Sequence, residues 1–365
     1  MHEMLPFRHH HLLKILNEHG ASTLPLDALM ANYFRAHKSL GSKDRKWISE
    51  TVYAIIRLKG LLDAYISKPA TWEKRFEKYM DGQFPSRDQL PRHVAVSFPK
   101  FLYDQLSDSV CNALNEPAPT TVRANALKTT RDALMERWPD YEIVKTEHSP
   151  VGITFLKKIN FFVTPEFKQG LFEVQDEGSQ LVAFMIKAQP GDHVLDFCAG
   201  SGGKTLAIAP MMQGKGQLYL HDIRPHALKE AKRRLNRAGV QNAQIIPSDR
   251  LASLKGKMDW VLVDAPCSGT GTLRRNPDMK WKLTPEAIEE LVDKQQKIFD
   301  QALTCLKPGG CIVYATCSIL PCENEEQIAL FCKNTSLKAG PTFKSLPESG
   351  KMDGFFAQTM IYSGA

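Results

Sequence analysis

The sequence predicts an α/β protein: a mainly parallel sheet with helices on both faces, preceded by a small α/β module and an all-helical region. Three observations lead to it. From about residue 171 onward, short apolar runs alternate with longer amphipathic stretches, the rhythm of a parallel sheet wrapped by helices. The motifs rich in glycine or cysteine stand directly after those runs, where the carboxyl ends of parallel strands place ligands. Over the first ~110 residues the apolar spacing is helical only. A chain of 365 residues has length for two or three domains. Boundaries are expected at 1–112 for the helical domain, 113–170 for the small module and 171–365 for the domain that carries the motifs.

In the helical domain, Ser42 is expected to cap a helix starting at Lys43, because Ile48, Val52, Ile55, Ile56 and Leu58 then share one stripe. The basic residues around it are Arg35, His37, Lys38, Lys43, Arg45, Lys46, Arg57 and Lys59. They read equally as a solvated face or as a surface for RNA. Two prolines in Asn115-Glu116-Pro117-Ala118-Pro119 mark a linker. Thr121-Val122-Arg123-Ala124-Asn125 follows, then a helix expected over 130–137. In the third domain, strands are expected at 193–197, 217–221, 244–247, 259–264 and 311–315, and helices at 225–238 and 285–306.

Composition sets outer limits. Hydrophobic residues at 43% and charged residues at 24% are the mix of a soluble globular protein. The net charge of +7 permits a polyanionic partner without requiring one. The start, Met1-His2-Glu3-Met4-Leu5-Pro6, has no apolar leader, and no run of ~18 apolar residues could span a bilayer. A cytoplasmic protein without a membrane partner is the expectation, and nothing in the sequence demands more than a monomer. Eight cysteines occur without paired zinc spacing, so no metal is expected. Cys111, Cys305, Cys311 and Cys332 are expected to be buried thiols. Cys198, Cys267 and Cys317 lie inside motifs.

The first motif is Cys198-Ala199-Gly200-Ser201-Gly202-Gly203-Lys204-Thr205, after the run Val194-Leu195-Asp196-Phe197. Small residues let the backbone approach a ligand, and the start of the following helix offers free N–H donors. A phosphate-binding P-loop would need glycine where Cys198 stands, and a dinucleotide fingerprint would need glycine where Thr205 stands. A methyltransferase loop, which cradles the methionine part of S-adenosylmethionine, tolerates both. Asp222, at the end of the second strand, is placed for ribose hydroxyls, with a cap for the helix after it as the plainer alternative. Asp249, after the third strand, is placed for adenine. Asp222, Asp249 and Asp264 around one crevice suit a cationic sulfonium better than a triphosphate. The methyltransferase ranks first, a P-loop nucleotidase second and a dehydrogenase third.

The second and third motifs carry thiols. The fourth strand ends in Asp264-Ala265-Pro266-Cys267-Ser268-Gly269, the fifth in Ala315-Thr316-Cys317-Ser318. If these strands are neighbours, both cysteines face one cleft. Carbon 5 of cytosine is a poor nucleophile, and a thiolate adding at carbon 6 makes it an enamine-like one. An acid at ring N3 helps that addition; Asp264 fits the role if a closed, partly apolar site raises its pKa. A second thiol could assist the later loss of the carbon 5 proton and the elimination. The target base must be unpaired or flipped out. Trp281, among Arg274, Arg275, Lys280 and Lys282, reads equally as a stacking platform for it or as a buried tryptophan with solvated neighbours. The basic residues Lys229, Lys232, Arg233, Arg234 and Arg237 read as an exposed helix face.

Taken together, 198–205, 264–271 and Thr316-Cys317-Ser318 with Pro321 and Glu323-Asn324-Glu325 resemble the RsmB/Nop/Sun group of RNA 5-methylcytosine methyltransferases. Val174-Gln175-Asp176-Glu177-Gly178-Ser179, Thr121-Val122-Arg123-Ala124-Asn125 and Asp353-Gly354-Phe355-Phe356 add to the likeness, which runs from about residue 115 to the end. The resemblance implies a Rossmann-like class I methyltransferase domain. It implies Cys317 as nucleophile, Cys267 as aid to product release, and S-adenosylmethionine held by Cys198, Ala199, Gly200, Ser201, Gly202, Gly203, Lys204, Asp222, Asp249 and Asp264. From chemistry alone the choice between the cysteines stays open. Gly200-Ser201 stands where many members have alanine and proline. Phe34-Arg35 and Leu40-Gly41-Ser42-Lys43-Asp44-Arg45 resemble the NusB-like domain of bacterial RsmB members. That implies RNA contact by the N-terminal domain and ribosomal RNA as substrate, with transfer RNA as the alternative. The rival from another class is an RNA-binding assembly factor without turnover.

Overall fold

The structure, a computed structural model, describes residues 6–364; residues 1–5, on which the reading of the N-terminus rests, lie outside them. The chain divides into two compact units, Met1–Pro117 with Thr272–Pro285, and Ala118–Gly271 with Glu286–Ala365.

The first unit is helical, with helices at Phe7–Ala21, Leu26–Ala36, Ser42–Arg57 and Trp72–Asp81. Leu12, Ile15, Leu16, Leu26, Ile48, Val52 and Ile55 form its core. The stripe expected on the third helix is thus buried. Its start differs from expectation: Gly41 is the N-cap and Ser42 the first helical residue, without a side-chain cap. Asp44 places a negative charge in the first turn instead, where the free N–H groups favour it.

Thr272–Pro285 leaves the sequence of the second unit to pack in the first, which nothing in its composition signals. Lys280 is buried and donates to Arg57 O at 2.8 Å, Ser97 O at 2.7 Å and Asn115 Oδ1 at 2.7 Å. Trp281 gives its Nε1–H to Ile56 O at 2.7 Å, and Arg57 donates to Arg274 O at 2.9 Å. Of the two readings offered for Trp281, these bonds favour the packed tryptophan. The indole N–H and the Lys280 nitrogen serve acceptors of this unit, three of them backbone carbonyls and one the Asn115 side chain. Arg274 is buried as well, whereas Lys282 is exposed.

The second unit holds two sheets. Strands β1 (Thr120–Ala124), β2 (Ile143–Lys145), β3 (Gly152–Phe155) and β4 (Phe172–Val174) form an antiparallel sheet in the order β2-β3-β1-β4. The large sheet holds β5 (His193–Asp196), β6 (Gln217–Leu220), β7 (Ala243–Ile245), β8 (Met258–Asp264), β9 (Leu306–Thr316), β10 (Leu337–Ser345) and β11 (Phe355–Tyr362), in the order β10-β11-β9-β8-β5-β6-β7. Strands β5 to β9 are parallel, and the hairpin β10–β11 runs antiparallel to β9. Val194, Leu195, Val261, Leu262, Val263, Ile312 and Val313 are fully buried, as central strands covered on both faces require. Each such side chain contributes about 1.5–3 kcal/mol.

The helix expected to end at residue 306 stops at Leu303, and β9 starts at Leu306 rather than at residue 311. Lys257 and Met258 N–H groups close on Cys305 O at 3.0 and 2.9 Å, which draws Leu306 into register with Met258. A register shift between Met258 and Trp260 takes up the extra residues. From β5 the chain steps outward through β6 and β7, then returns to β8 on the other side of β5. The reversal leaves a crevice at the carboxyl ends of β5 and β8, the usual ligand position on such sheets.

Candidate active site

A cavity of about 790 Å³ opens in that crevice. Its lining includes Asp196, Cys198, Gly200, Ser201, Gly203, Lys204, Asp222 and Asp264. The loop after β5 turns through Gly200 at φ +52 and Gly202 at φ +80, conformations that L side chains rarely adopt. At Gly203 an added Cβ would meet nothing nearer than 3.9 Å, so the backbone is bare toward the cavity. The helix Gly203–Ile208 follows directly.

Asp222 lines the cavity, and the helix after it has Arg224 rather than Asp222 as its N-cap, without a side-chain cap. Asp222 Oδ2 accepts from Gly200 N at 2.8 Å, tying β6 to the glycine loop, and its Oδ1 accepts from Arg224 N at 2.8 Å, making the turn into the helix Pro225–Ala238. Arg224 Nε and Nη2 also donate to it, at 2.9 and 3.0 Å. Burial opposes the charge of Asp222, but these bonds hold its carboxyl below the usual carboxylate range. Asp249 is different: it is exposed and does not line the cavity. It stands in the short helical stretch Ser248–Leu254, which carries it away from the carboxyl end of β7.

Lys204 donates to Asp264 Oδ2 at 2.5 Å. Burial disfavours its ammonium, yet the charge of Asp264 and that bond raise its pKa above the ordinary lysine value. The apolar surroundings expected for Asp264 are therefore not what is found; a cation faces it.

Both cysteines arrive as the strand pairing requires. Asp264 lies beside Ala315 in the β8–β9 register, and the two loops that follow bring Cys267 Sγ to 3.5 Å from Cys317 Sγ. The turn Pro321–Glu323 braces both loops. Glu323 accepts from Ser268 N at 2.8 Å, from Ser268 Oγ at 2.5 Å and from Gln295 Nε2 at 3.0 Å. Asn324 accepts from Thr316 Oγ1 at 2.6 Å and donates to Ser318 O at 3.0 Å. Gln295 also donates to Pro266 O at 3.1 Å. Glu323, Asn324 and Gln295 are fully buried.

Three features escaped the sequence reading. Asp196, at the end of β5, accepts at Oδ2 from the Thr205 hydroxyl at 2.7 Å, while its buried Oδ1 has no partner. Burial pushes its carboxyl up to about 7. A carboxylate closing an apolar strand was the available signal. Arg234 and Arg237, expected on an exposed face, turn inward to Glu173 at 3.0 and 2.5 Å. Arg234 also donates to Ser201 O at 2.9 Å and Oγ at 2.7 Å, linking β4 of the small sheet to the glycine loop. Gln295 sits in a long amphipathic helix, where nothing in its neighbours marks it.

The chain is similar to known proteins in sequence and in fold. A family model described as 16S rRNA methyltransferase RsmB/F matches residues 183–361. Ribosomal RNA small subunit methyltransferase B of Enterobacter sp. (strain 638) is 32% identical over 343 residues, covering 86% of this chain and 77% of that protein. Its namesake in Proteus mirabilis (strain HI4320) is 33% identical over 331 residues, covering 85% and 75%. The crystal structure of PH0851 matches with a TM-score of 0.81 over 98% of this chain and 99% of that one; at 21% identity it speaks for the fold. A methyltransferase homolog from Pyrococcus horikoshii, 26% identical, gives a TM-score of 0.67 over 76% of this chain and 99% of that one.

Proposed function

Because the chain belongs to the RsmB/F family of 16S rRNA methyltransferases, we propose that it methylates carbon 5 of a cytosine in RNA through a covalent adduct with Cys317. The observation that carries this reading is the pair of thiols, 3.5 Å apart, at the ends of two adjacent strands, one of which also presents Asp264 to the cofactor cavity.

The cavity fits S-adenosylmethionine on its own chemistry. Four acidic residues, Asp196, Asp222, Glu230 and Asp264, line it beside Lys204, Arg224, Arg234 and Lys294, and the buried Asp196 Oδ1 lacks a donor. A ligand that carries an ammonium can supply that donor. When bound, the cofactor supplies an electrophilic methyl group. The residues of the chain do the rest. Cys317 thiolate adds to carbon 6, forming an S–C6 bond and moving the ring electrons toward N3 and carbon 5. Asp264, held by Lys204, addresses the N3 edge. After methyl transfer a base takes the carbon 5 proton, and the electron pair left behind re-forms the C5–C6 double bond as the S–C6 bond breaks and returns the thiolate, with Cys267 assisting release. Cys198, Ala199, Gly200, Ser201, Gly202, Gly203 and Lys204 form the loop around the methionine part, and Asp222 takes the ribose.

The substrate in this reading is small-subunit ribosomal RNA, met in the cytoplasm by a monomer. Four cations of the helical unit, Arg35, Lys38, Lys43 and Lys46, stand exposed and support RNA contact there. Among the described residues no helix is long and apolar enough to cross a membrane. The test is transfer of labelled methyl from S-adenosylmethionine into unmodified ribosomal and transfer RNA, followed by nucleoside analysis. Label in 5-methylcytosine of ribosomal RNA is the expected result; label in another nucleoside would overturn the reaction.

A further inference from the structure

Two thiols at 3.5 Å pose a question that the strand geometry alone leaves open: which of them attacks. The surroundings of the two differ. Behind Cys267 lies Glu323, with zero exposure. Its carboxyl oxygens receive three donors, Ser268 N, Ser268 Oγ and Gln295 Nε2, and all three are neutral. No cation is among these donors. The charge therefore stays uncompensated by any cation in contact, and in a dry interior it acts on its neighbours strongly. Ser268 is bonded covalently to Cys267, so the charge is anchored beside that thiol. On the other side, the Lys204 ammonium interacts with Cys317. Other ionisable groups about the pair include Tyr314, whose hydroxyl donates to Glu323 O at 2.8 Å, Asp264 on Lys204, Cys322 next to Glu323, and Cys198.

We propose that Glu323 is a positioning residue that divides the labour of the thiols: its buried charge keeps Cys267 in the proton-bearing form and leaves Cys317 as the thiolate. This rests on the covalent-adduct reading above and adds the reason for the choice of nucleophile. The direction agrees with the state of Cys267. The hydrogen bond with Cys317, burial, and the charges of Cys317 and Glu323 push its thiol well above the ordinary cysteine range. A protonated Cys267 then donates its S–H to the Cys317 sulfur, which favours the thiolate there.

The test needs neither RNA nor methyl donor, so its failure is distinct from failure of the reaction assigned above. The full-length protein is alkylated with iodoacetamide across a pH series, and the modification of Cys267 and Cys317 is followed separately by peptide mapping. In the unaltered protein Cys317 reacts first. Glu323→Gln keeps the shape, because its amide can donate to Ser268 Oγ, whose own proton can turn to Thr270 Oγ1 at 3.2 Å. It removes only the charge. Cys267 is then expected to gain about tenfold relative to Cys317, with its pH midpoint moved down by about one unit. A merely structural brace would loosen both loops and raise both rates together without moving a midpoint; that result overturns the proposal. Should Glu323→Gln fail to fold, Cys317→Ser removes the partner thiol and leaves burial and Glu323 as the causes of the raise. With Glu323 intact, Cys267 must still titrate above an ordinary cysteine, and a midpoint at or below that value overturns the proposal as well.

Discussion

Single side chains carry the chemistry, and two sets of substitutions read it. Cys317→Ser should lower methyl transfer by about 10³-fold or more, because no thiolate remains to activate the ring, while S-adenosylhomocysteine still binds. Cys267→Ser should instead leave the adduct formed and slow its collapse. A protein–RNA complex that survives detergent electrophoresis is the readout. Asp196 provides the pH-dependent case. The folded protein keeps this proton up to about pH 7, whereas the ordinary carboxyl value is 3.8. The native state thus binds the extra proton between those values, and stability falls as pH rises through that window, by about 4 kcal/mol in total. Asp196→Asn keeps an acceptor for Thr205 and has no proton to lose. Urea unfolding at pH 5 and pH 7.5 should show the unaltered protein losing more stability than the variant; equal losses would refute the assignment.

Contacts between elements position these side chains. The ion pairs of Glu173 with Arg234 and Arg237 join β4 to the helix Pro225–Ala238, and Arg234 extends to Ser201. Arg234→Met should therefore weaken S-adenosylhomocysteine binding by about tenfold, which calorimetry measures as about 1.4 kcal/mol. The fold itself should survive, since Arg237 remains on Glu173. In the helical unit, Lys280→Met would leave Arg57 O, Ser97 O and Asn115 Oδ1 without their shared donor. A loss of about 2–3 kcal/mol in denaturant unfolding is expected, because buried acceptors lose their partner and gain no water. An unchanged midpoint would show that water reaches them.

Binding equilibria report on the protein taken as one object. S-adenosylhomocysteine should raise the melting temperature of the chain, and ATP should not, because Cys198 stands where a phosphate-binding loop needs glycine. A shift with ATP would restore the P-loop reading of Gly203-Lys204-Thr205. The structure already weighs against that reading: Lys204, which would have to reach a phosphate, is bonded to Asp264.

Local chemistry made much of this protein legible in its sequence. Apolar runs bounded by glycine and proline marked β5, β6 and β8 to within a few residues. The helix Pro225–Ala238 was marked by its proline start and glycine end. The glycine loop, Asp222, Asp264, Cys267 and Cys317 could be singled out because each follows a strand, where ligand chemistry collects. Distances across the chain were not legible. Nothing local says that Glu323 and Gln295 meet behind Ser268, that Arg234 reaches Ser201, or that Lys280 and Trp281 turn into the helical unit. Those partners are separated by 28 to 225 residues. For the same reason Asp249 could be credited with a place in the cavity that it does not take. A sequence specifies which groups are available and on which element they sit, since periodicity and turn chemistry act over a few residues. Which buried charge faces which thiol is decided only when packing brings distant elements into contact and strips away the water between them.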